Sequence, residues 1–434
     1  MDPMLPTRIT ARPGRLTRLA ALTVASGLAA GLLLAPPAAA TGPANPTAPA
    51  AVPSASTVDE LVSKRLRNPR LGSNVGVLAI DAATGEVLAD RASTASMIPA
   101  SNMKIVTAVT ALATLGPDRR LTTKVRAGAV PGEVILEGGG DPLLSTKELR
   151  QLAKATAATL TPGQPVTIRL DDSLFPADGR EPGWTTGYIP SVVSTVQPLA
   201  RLWDYSKDPG ANALAVFANR LRALGFPVTI GAPIDAGEAP LIAESTGHTV
   251  GDAVRIMLRI SENNVAEVLF RQVALATGNT PDWKGSRLAA EQVMASLGVD
   301  TTGTALRDGS GLSREDRVTP RFLVDLLRTV RVVNPEPFRL MFEPDAMPIS
   351  GVSGTLDDRY GRFTTKRARC AQGDVMAKTG TLFDTIGLSG VSAPGDAPER
   401  IFSILVNDRP QKYSALTIRQ AVDGLTATIA GCWR

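Results

Sequence analysis

Strand-forming runs lie near both ends of this 434-residue chain, with mainly helical patterns between them. A hairpin signal near the N-terminus and three β-rich runs near the C-terminus predict the strands 74–80, 86–89, 375–382, 386–392 and 401–407. A strand becomes stable only when its backbone groups pair with another strand. We therefore expect the two ends of the chain to meet in one sheet of a mixed α and β fold.

The stretch between these strands predicts several helices and a smaller set of strands. One helix begins after Ser101 and ends at Leu115 before a Gly-Pro pair, and Thr249 with Asp252 resembles a capping box that starts another. The remaining predicted helices are 145–160, 212–224, 321–332 and 416–429, and short strands are predicted within 121–136 and at 166–170.

The chain has one histidine, His248, and two cysteines. These counts exclude a His-rich metal site, an iron–sulfur cluster and a zinc site built from cysteines, and we expect neither a metal nor a cofactor. A Ser-His-Asp or Cys-His apparatus would depend on His248 alone. We therefore expect proton transfer in an active site of this chain to use lysine or carboxylate side chains.

The first 40 residues have the three parts of a secretory signal peptide. Arginines at positions 8, 12, 15 and 18 precede the apolar run 19–34, and a Pro/Ala-rich stretch ends at Ala40 with an Ala-x-Ala-like cleavage site. The apolar run is shorter than the roughly 20 residues that span a bilayer, which favours cleavage over retention as an anchor. Residues 41–57, rich in Pro, Ala and Thr, predict a flexible linker.

Export accounts for the basic charge and for the cysteines. Removal of residues 1–40 lowers the formal net charge from +5 to about +2 and leaves no dense basic patch. We expect a location in the periplasm, the cell wall or the extracellular space, no nucleic-acid partner, and membrane association that is at most peripheral or through an uncleaved signal. An oxidising compartment favours a disulfide between Cys370 and Cys432, with two free buried thiols as the alternative.

A Ser-x-x-Lys pair lies at the start of the helix that ends at residue 115. On a helix, Ser101 and Lys104 fall in one stripe with Ile105, Ala108 and Leu112, so the lysine would be buried beside the hydroxyl. Burial disfavours the ammonium, and a neutral amine one turn from a serine can act as its general base. The alternative, an N-cap serine with a solvent-facing lysine, is the commoner meaning of an isolated Ser-x-x-Lys.

Two further motifs follow in the chain, each present once. The sequence Ser-Glu-Asn at 261–263 ends the helix that Thr249 starts, and Lys-Thr-Gly at 378–380 lies in a predicted strand. Alone, the first could be an ordinary helix end and the second an exposed strand. Together with Ser-x-x-Lys, they form the trio that marks serine β-lactamases and penicillin-binding proteins.

These motifs and the sequence around them resemble the serine D-alanyl-D-alanine carboxypeptidase/endopeptidase family, the low-molecular-mass class C penicillin-binding proteins. The similarity covers nearly the whole chain after the predicted signal. The stretches that carry it are PASNMKIVTA (99–108), GGGDPLL (138–144), LDDSLF (170–175), MLRISENNVAEVLFR (257–271), LRDGSGLSR (306–314), ISGVSGTLDDR (349–359) and MAKTGTL (376–382).

The resemblance implies a penicillin-binding/serine β-lactamase-like fold. Such a fold has a five-stranded antiparallel sheet flanked by helices, a helical lobe, and the active site between them. We expect the catalytic domain to comprise 58–122 and 241–434. Members often carry two inserted domains between the first two motifs, whereas the spacing here leaves room for one, at 123–240, with the second absent or vestigial.

Catalytic roles follow from the resemblance, motif by motif. Ser101 would attack the carbonyl between two terminal D-alanines of a peptidoglycan stem peptide while Lys104 takes its proton. Ser261 would pass a proton to the departing amine, and Asn263 would hold the substrate amide. The middle motif has Glu262 where aspartate is commoner, a change that need not touch the other two roles.

The third motif would bind the substrate. Lys378 and Thr379 would receive the terminal carboxylate, and Gly380 would leave room for substrate along the strand edge. The backbone N–H groups of Thr381 and Ser101 would form the oxyanion hole. β-Lactams would act as covalent inhibitors that acylate the same serine and leave slowly.

Two other functions share these motifs. A serine β-lactamase would deacylate rapidly, and a non-catalytic penicillin-binding protein would act as a sensor or scaffold. Within the peptidase class, the sequence leaves carboxypeptidase and endopeptidase activity open, because both cleave a bond next to a D-alanine.

Overall fold

The computed structural model describes residues 55–393 and 397–432. The predicted signal peptide and most of the predicted linker lie outside these residues. Within the described part of the chain, no helix combines the length and the apolar character that crossing a bilayer requires.

The predicted helices and strands are present with small shifts in their bounds, but the helices at 55–66, 188–191, 263–276 and 283–296 and the strands at 228–230, 241–244 and 248–249 were not predicted. The helices are α1 (Ala55–Leu66), α2 (Met103–Leu115), α3 (Thr146–Ala157), the short turn α4 (Tyr188–Ser191), α5 (Pro209–Ala223), α6 (Val250–Ile260), α7 (Asn263–Ala276), α8 (Trp283–Ser296), α9 (Pro320–Arg328) and α10 (Ala415–Ile429). The strands are β1 (Asn74–Asp81), β2 (Val87–Arg91), β3 (Arg120–Leu121), β4 (Lys124–Ala127), β5 (Glu133–Glu137), β6 (Val166–Asp171), β7 (Val228–Ile230), β8 (Leu241–Glu244), β9 (His248–Thr249), β10 (Val375–Thr381), β11 (Ile386–Ser392) and β12 (Arg400–Asn407).

The predicted five-stranded antiparallel sheet is confirmed, with the strand order β10-β11-β12-β1-β2. β1 pairs with β12 along its whole length, from Asn74 opposite Asn407 to Asp81 opposite Arg400. The two ends of the chain therefore meet in one sheet, and β10, which carries the Lys-Thr-Gly motif, is an edge strand.

Alternate residues of this main sheet are buried against helices on opposite faces. On β1, Val77 and Ala79 pack in one apolar cluster with α1 and α10, whereas Leu78 and Ile80 pack in another with α2 and α9. This alternation follows from the two-residue period of a strand. Both faces of the sheet are thus covered by helices.

Helices α6, α7 and α8 form the helical lobe, and α7 is buried along its length from Val265 to Ala274. Helix α2 differs from the prediction of a single apolar stripe. Val106, Val109 and Ala111, on its other sides, are also buried. A helix that is apolar on all sides is one surrounded by protein, and α2 lies between the main sheet and the lobe.

A second sheet has the order β7-β6-β5-β4-β8, with β6 parallel to both of its neighbours. Helices α3 and α5 share its apolar core. Four of its strands lie within the predicted insertion 123–240, and β8 follows that boundary directly. The division of the chain into domains stays a prediction.

The predicted disulfide is present, because Cys370 and Cys432 are bonded with their Cα atoms 6.2 Å apart. It ties the end of the chain after α10 to the segment before β10. We expect the double variant Cys370→Ser/Cys432→Ser to lose about 3 kcal/mol of unfolding free energy, since the unfolded chain regains the freedom of a long loop. Urea denaturation of both proteins measures this loss. Equal midpoints and slopes for the two proteins would contradict it.

Candidate active site

Ser101 lies in a single 3-10 turn, Ala100–Asn102, that leads directly into α2. Ala100 has a φ of 48°, a left-handed conformation that is costly for a residue with a side chain and that recurs at functional sites. The turn packs on the main sheet beneath it. A Cβ atom at Gly380 would come within 2.6 Å of Asn102 Nδ2, and one at Gly387 within 2.2 Å.

These contacts give Gly380 a role that the sequence did not indicate. The missing side chain leaves space for the nucleophile turn to lie against β10, so a larger residue would displace that turn. Room for substrate along the strand edge stays a prediction for this glycine.

The Lys104 side chain is fully buried, and its amine contacts three groups. Nζ lies 3.0 Å from Ser101 Oγ, 2.7 Å from Asn263 Oδ1 and 2.7 Å from the carbonyl oxygen of Ser310. The Asn263 amide is oriented by its Nδ2, which donates to the Val192 carbonyl at 2.8 Å. The first two motifs therefore meet at one nitrogen.

This arrangement suits a neutral amine. The amide oxygen of Asn263 and the carbonyl of Ser310 only accept hydrogen bonds, so they engage both N–H bonds of an amine and leave its lone pair directed at the Ser101 hydroxyl. Burial lowers the pKa of Lys104 to about 8, although the carboxylates of Asp308 and Glu267 oppose the shift.

Ser261 follows the last residue of α6 in a left-handed conformation, with a φ of 62°. This residue reverses the chain, and α7 begins two residues later at Asn263. Between them, Glu262 caps α7 by accepting a hydrogen bond from the Val265 N–H at 2.9 Å. Its other oxygen, Oε1, accepts a hydrogen bond from the Tyr205 hydroxyl, so both oxygens of the glutamate have partners.

Lys378 is fully buried on the edge strand β10. Its Nζ donates to Ser261 Oγ at 2.8 Å and to the Thr379 carbonyl at 2.8 Å. Burial and repulsion from Lys104 hold the pKa of Lys378 well below its usual range. An anion that entered the cleft would supply the missing counter-charge and stabilise its ammonium.

The next residues of β10 lie beside Lys378. Thr379 Oγ1 lies 2.7 Å from Thr355 Oγ1, and Thr381, half-buried, ends the strand. The structure thus brings every residue of the predicted site together, either in the hydrogen-bonded cluster around the two lysines or on the adjoining strand. These residues are Ser101, Lys104, Ser261, Asn263, Lys378, Thr379, Gly380 and Thr381.

Four further residues around the site, Ser310, Thr355, Val192 and Glu267, had no predicted role. Three of them lie within the quoted stretches 257–271, 306–314 and 349–359, which carried the resemblance without a function. Ser310 and Val192 act through a main-chain carbonyl, which no side-chain motif reveals. Glu267 follows Asn263 by one helical turn, a spacing that places both on the same face of α7.

Outside the three motifs, the described residues include one group of side chains of the kinds that bind metal ions. Atoms of Asp141, Glu148 and His248 lie within 4.8 Å of one another. His248 Nδ1 is 2.9 Å from Asp141 Oδ2, a contact that raises the pKa of His248, and Glu148 completes the capping box of α3 with Ser145. Ordinary hydrogen bonds thus account for these side chains.

The whole site identifies the protein as a serine acyl-transfer enzyme of the penicillin-recognising fold. The family model of the D-Ala-D-Ala carboxypeptidase 3 (S13) family matches residues 58–198 and 186–429. The chain belongs to this family.

Similar proteins cover most of the chain. It is 32% identical over 389 residues to the carboxypeptidase DacB of Mycolicibacterium smegmatis, covering 85% of this chain and 82% of that protein. It is 28% identical to a D-alanyl-D-alanine carboxypeptidase of an Actinomadura species, covering 99% and 94%. The crystal structure of penicillin-binding protein 4 from Haemophilus influenzae has the same fold, with a TM-score of 0.71, 21% identity, and coverage of 87% of this chain and 100% of that one.

Proposed function

We propose that the protein is an exported serine-type D-Ala-D-Ala carboxypeptidase that acts on peptidoglycan stem peptides through an acyl-enzyme on Ser101. The observation that carries this proposal is the set of three contacts at Lys104 Nζ. Family membership supports it, as do the relatives named D-alanyl-D-alanine carboxypeptidase. A Haemophilus influenzae penicillin-binding protein 4 complexed with a β-lactam supports β-lactams as ligands of this chain, and in this proposal they acylate Ser101.

Acylation begins with the transfer of the Ser101 proton to the Lys104 amine as Oγ attacks the carbonyl between the two D-alanines. The resulting ammonium keeps its contacts with Asn263 Oδ1 and the Ser310 carbonyl. The Ser101–carbonyl bond forms, the peptide bond breaks, and Ser261 delivers its proton to the departing amine while it takes up the proton that Lys104 received from Ser101. The N–H groups of Ser101 and Thr381 stabilise the oxyanion.

Recognition of a free C-terminus comes from β10. The terminal carboxylate binds the ammonium of Lys378 and the hydroxyl of Thr379, while the peptide backbone extends along the edge of the strand beyond Ala377, where the pairing with residues 348–350 ends. Water then hydrolyses the acyl-enzyme and restores the serine.

Release of D-alanine from a pentapeptide stem tests this function. We expect the purified protein to release D-alanine, and Ser101→Ala to release none. A cross-linked stem dimer assayed in parallel separates carboxypeptidase from endopeptidase cleavage. Labelling by a fluorescent penicillin without D-alanine release would support the sensor or scaffold instead. Loss of the label within seconds would support a β-lactamase.

We expect the rate of Ser101 acylation to rise with pH and to reach half of its plateau near pH 8. The base is the neutral amine of Lys104, whose pKa burial lowers to about 8, so the active form accumulates as the pH rises through that value. Stopped-flow measurement with a fluorescent penicillin between pH 5 and 10 gives the profile. A flat profile, or a rate that falls through pH 8, would contradict a lysine base.

A further inference from the structure

A buried carboxylate beneath the cluster has no role in the chemistry described above. Glu267 is fully buried on α7, one turn after Asn263, and its two oxygens accept hydrogen bonds from backbone N–H groups. Oε1 accepts from Ser310 at 2.8 Å, and Oε2 accepts from Gly309 at 3.1 Å. We refer to residues 309–311 as the glycine-serine loop.

The glycine-serine loop touches both catalytic partners. The carbonyl of Ser310 accepts the hydrogen bond from Lys104, and Gly311 lies so near the nucleophile turn that a Cβ atom there would come within 1.9 Å of the Ala100 carbonyl oxygen. Thr107, on α2, anchors the same loop through a 2.6 Å hydrogen bond from its hydroxyl to the carbonyl of Gly309.

We propose that Glu267 is a positioning residue for the general base: it holds the glycine-serine loop so that the Ser310 carbonyl takes one N–H of Lys104. Helix α7 then sets both acceptors of the amine, one directly through Asn263 and the other through Glu267. This inference rests on the proposed function, because it concerns the direction in which the Lys104 lone pair points.

The contact requires a carboxylate, and because burial raises the pKa of Glu267 to about 8, that form predominates above this pH. Two N–H donors face the side chain, and only a carboxylate presents an acceptor oxygen to each of them. A glutamine of the same size would oppose one N–H with its own amide N–H, which leaves a buried donor unsatisfied and releases one side of the loop. A small displacement of a catalytic group lowers the rate of the chemical step without weakening substrate binding.

The test is the Glu267→Gln variant, compared with the parent protein by stopped-flow acylation with a fluorescent penicillin at pH 9, where Glu267 is mainly ionised. We expect the first-order acylation rate to fall about 10- to 100-fold, while the dissociation constant of the non-covalent complex stays within about twofold. Val273→Ala, a buried change on the same helix, is the matched control. It lowers the melting temperature without changing the acylation rate.

A second variant separates loop position from charge. Thr107→Val removes the other anchor of the loop while leaving Glu267 in place, and we expect a smaller fall in the same rate. If Glu267→Gln does not fold, Thr107→Val still shows whether a shift of the glycine-serine loop slows acylation. An unchanged acylation rate in these variants, or a loss confined to non-covalent binding, would overturn the role of Glu267 while leaving the proposed function intact. A parent protein that is not acylated at all would instead overturn the proposed function.

Discussion

Lys104→Met is expected to slow the acylation of Ser101 by about 10³- to 10⁴-fold. Methionine has a similar length and volume but no nitrogen, so the serine hydroxyl loses the group that takes its proton. The amide oxygen of Asn263 and the Ser310 carbonyl also lose their donor. We therefore expect a loss of unfolding free energy of about 1–3 kcal/mol in the same variant.

The rate of acylation by a fluorescent penicillin at pH 9 measures the loss of the general base, and thermal unfolding shows whether the variant is folded. Lys124→Met is the matched control, because Lys124 lies outside the site, 3.8 Å from Glu137, and its loss should leave acylation unchanged. A folded Lys104→Met protein with a rate within tenfold of the parent would mean that another group accepts the proton.

Lys378→Met is expected to lower kcat/KM for a substrate with a free C-terminal carboxylate by about 10³-fold, roughly 4 kcal/mol. The ammonium that pairs with the carboxylate is lost, and Ser261 loses the donor that orients its hydroxyl. The parent protein should discriminate strongly against the same peptide with a C-terminal amide. In the variant, the two substrates should become nearly equivalent.

Measurement of both substrates with both proteins forms a double-mutant cycle between Lys378 and the carboxylate. A coupling energy near zero would show that Lys378 does not bind the carboxylate. A large coupling energy with unchanged acylation by an uncharged ester would show that Lys378 acts in recognition and not in proton transfer.

The strands of the main sheet could be predicted from their local patterns, whereas its five-stranded antiparallel form was what the resemblance to the family implied. The strands β1 and β12 lie more than 300 residues apart in the chain, and they pair with each other because each needs a neighbouring strand. The surroundings of α2 could not be predicted in the same way. Its apolar stripe was visible, but the burial of Val106 and Val109 depends on the lobe that covers them.

The side chains of the site could be predicted, whereas their supports could not. Ser101, Lys104 and Lys378 carry reactive groups in recognisable spacings. The acceptor at Ser310 is a main-chain carbonyl, identical in every residue type, and its position depends on a loop folded from elsewhere in the chain. The packing of Gly380 under the nucleophile turn likewise depends on two segments that meet only in three dimensions.

The mass of the protein after incubation with benzylpenicillin shows whether Ser101 is the nucleophile. Intact-protein mass spectrometry should show one penicilloyl adduct per chain, and peptide mapping should place it on the peptide that contains Ser101. Ser101→Ala should carry no adduct. An adduct on another residue, or a parent protein that stays unmodified at millimolar penicillin and pH 9, would contradict a serine nucleophile activated by the buried amine of Lys104.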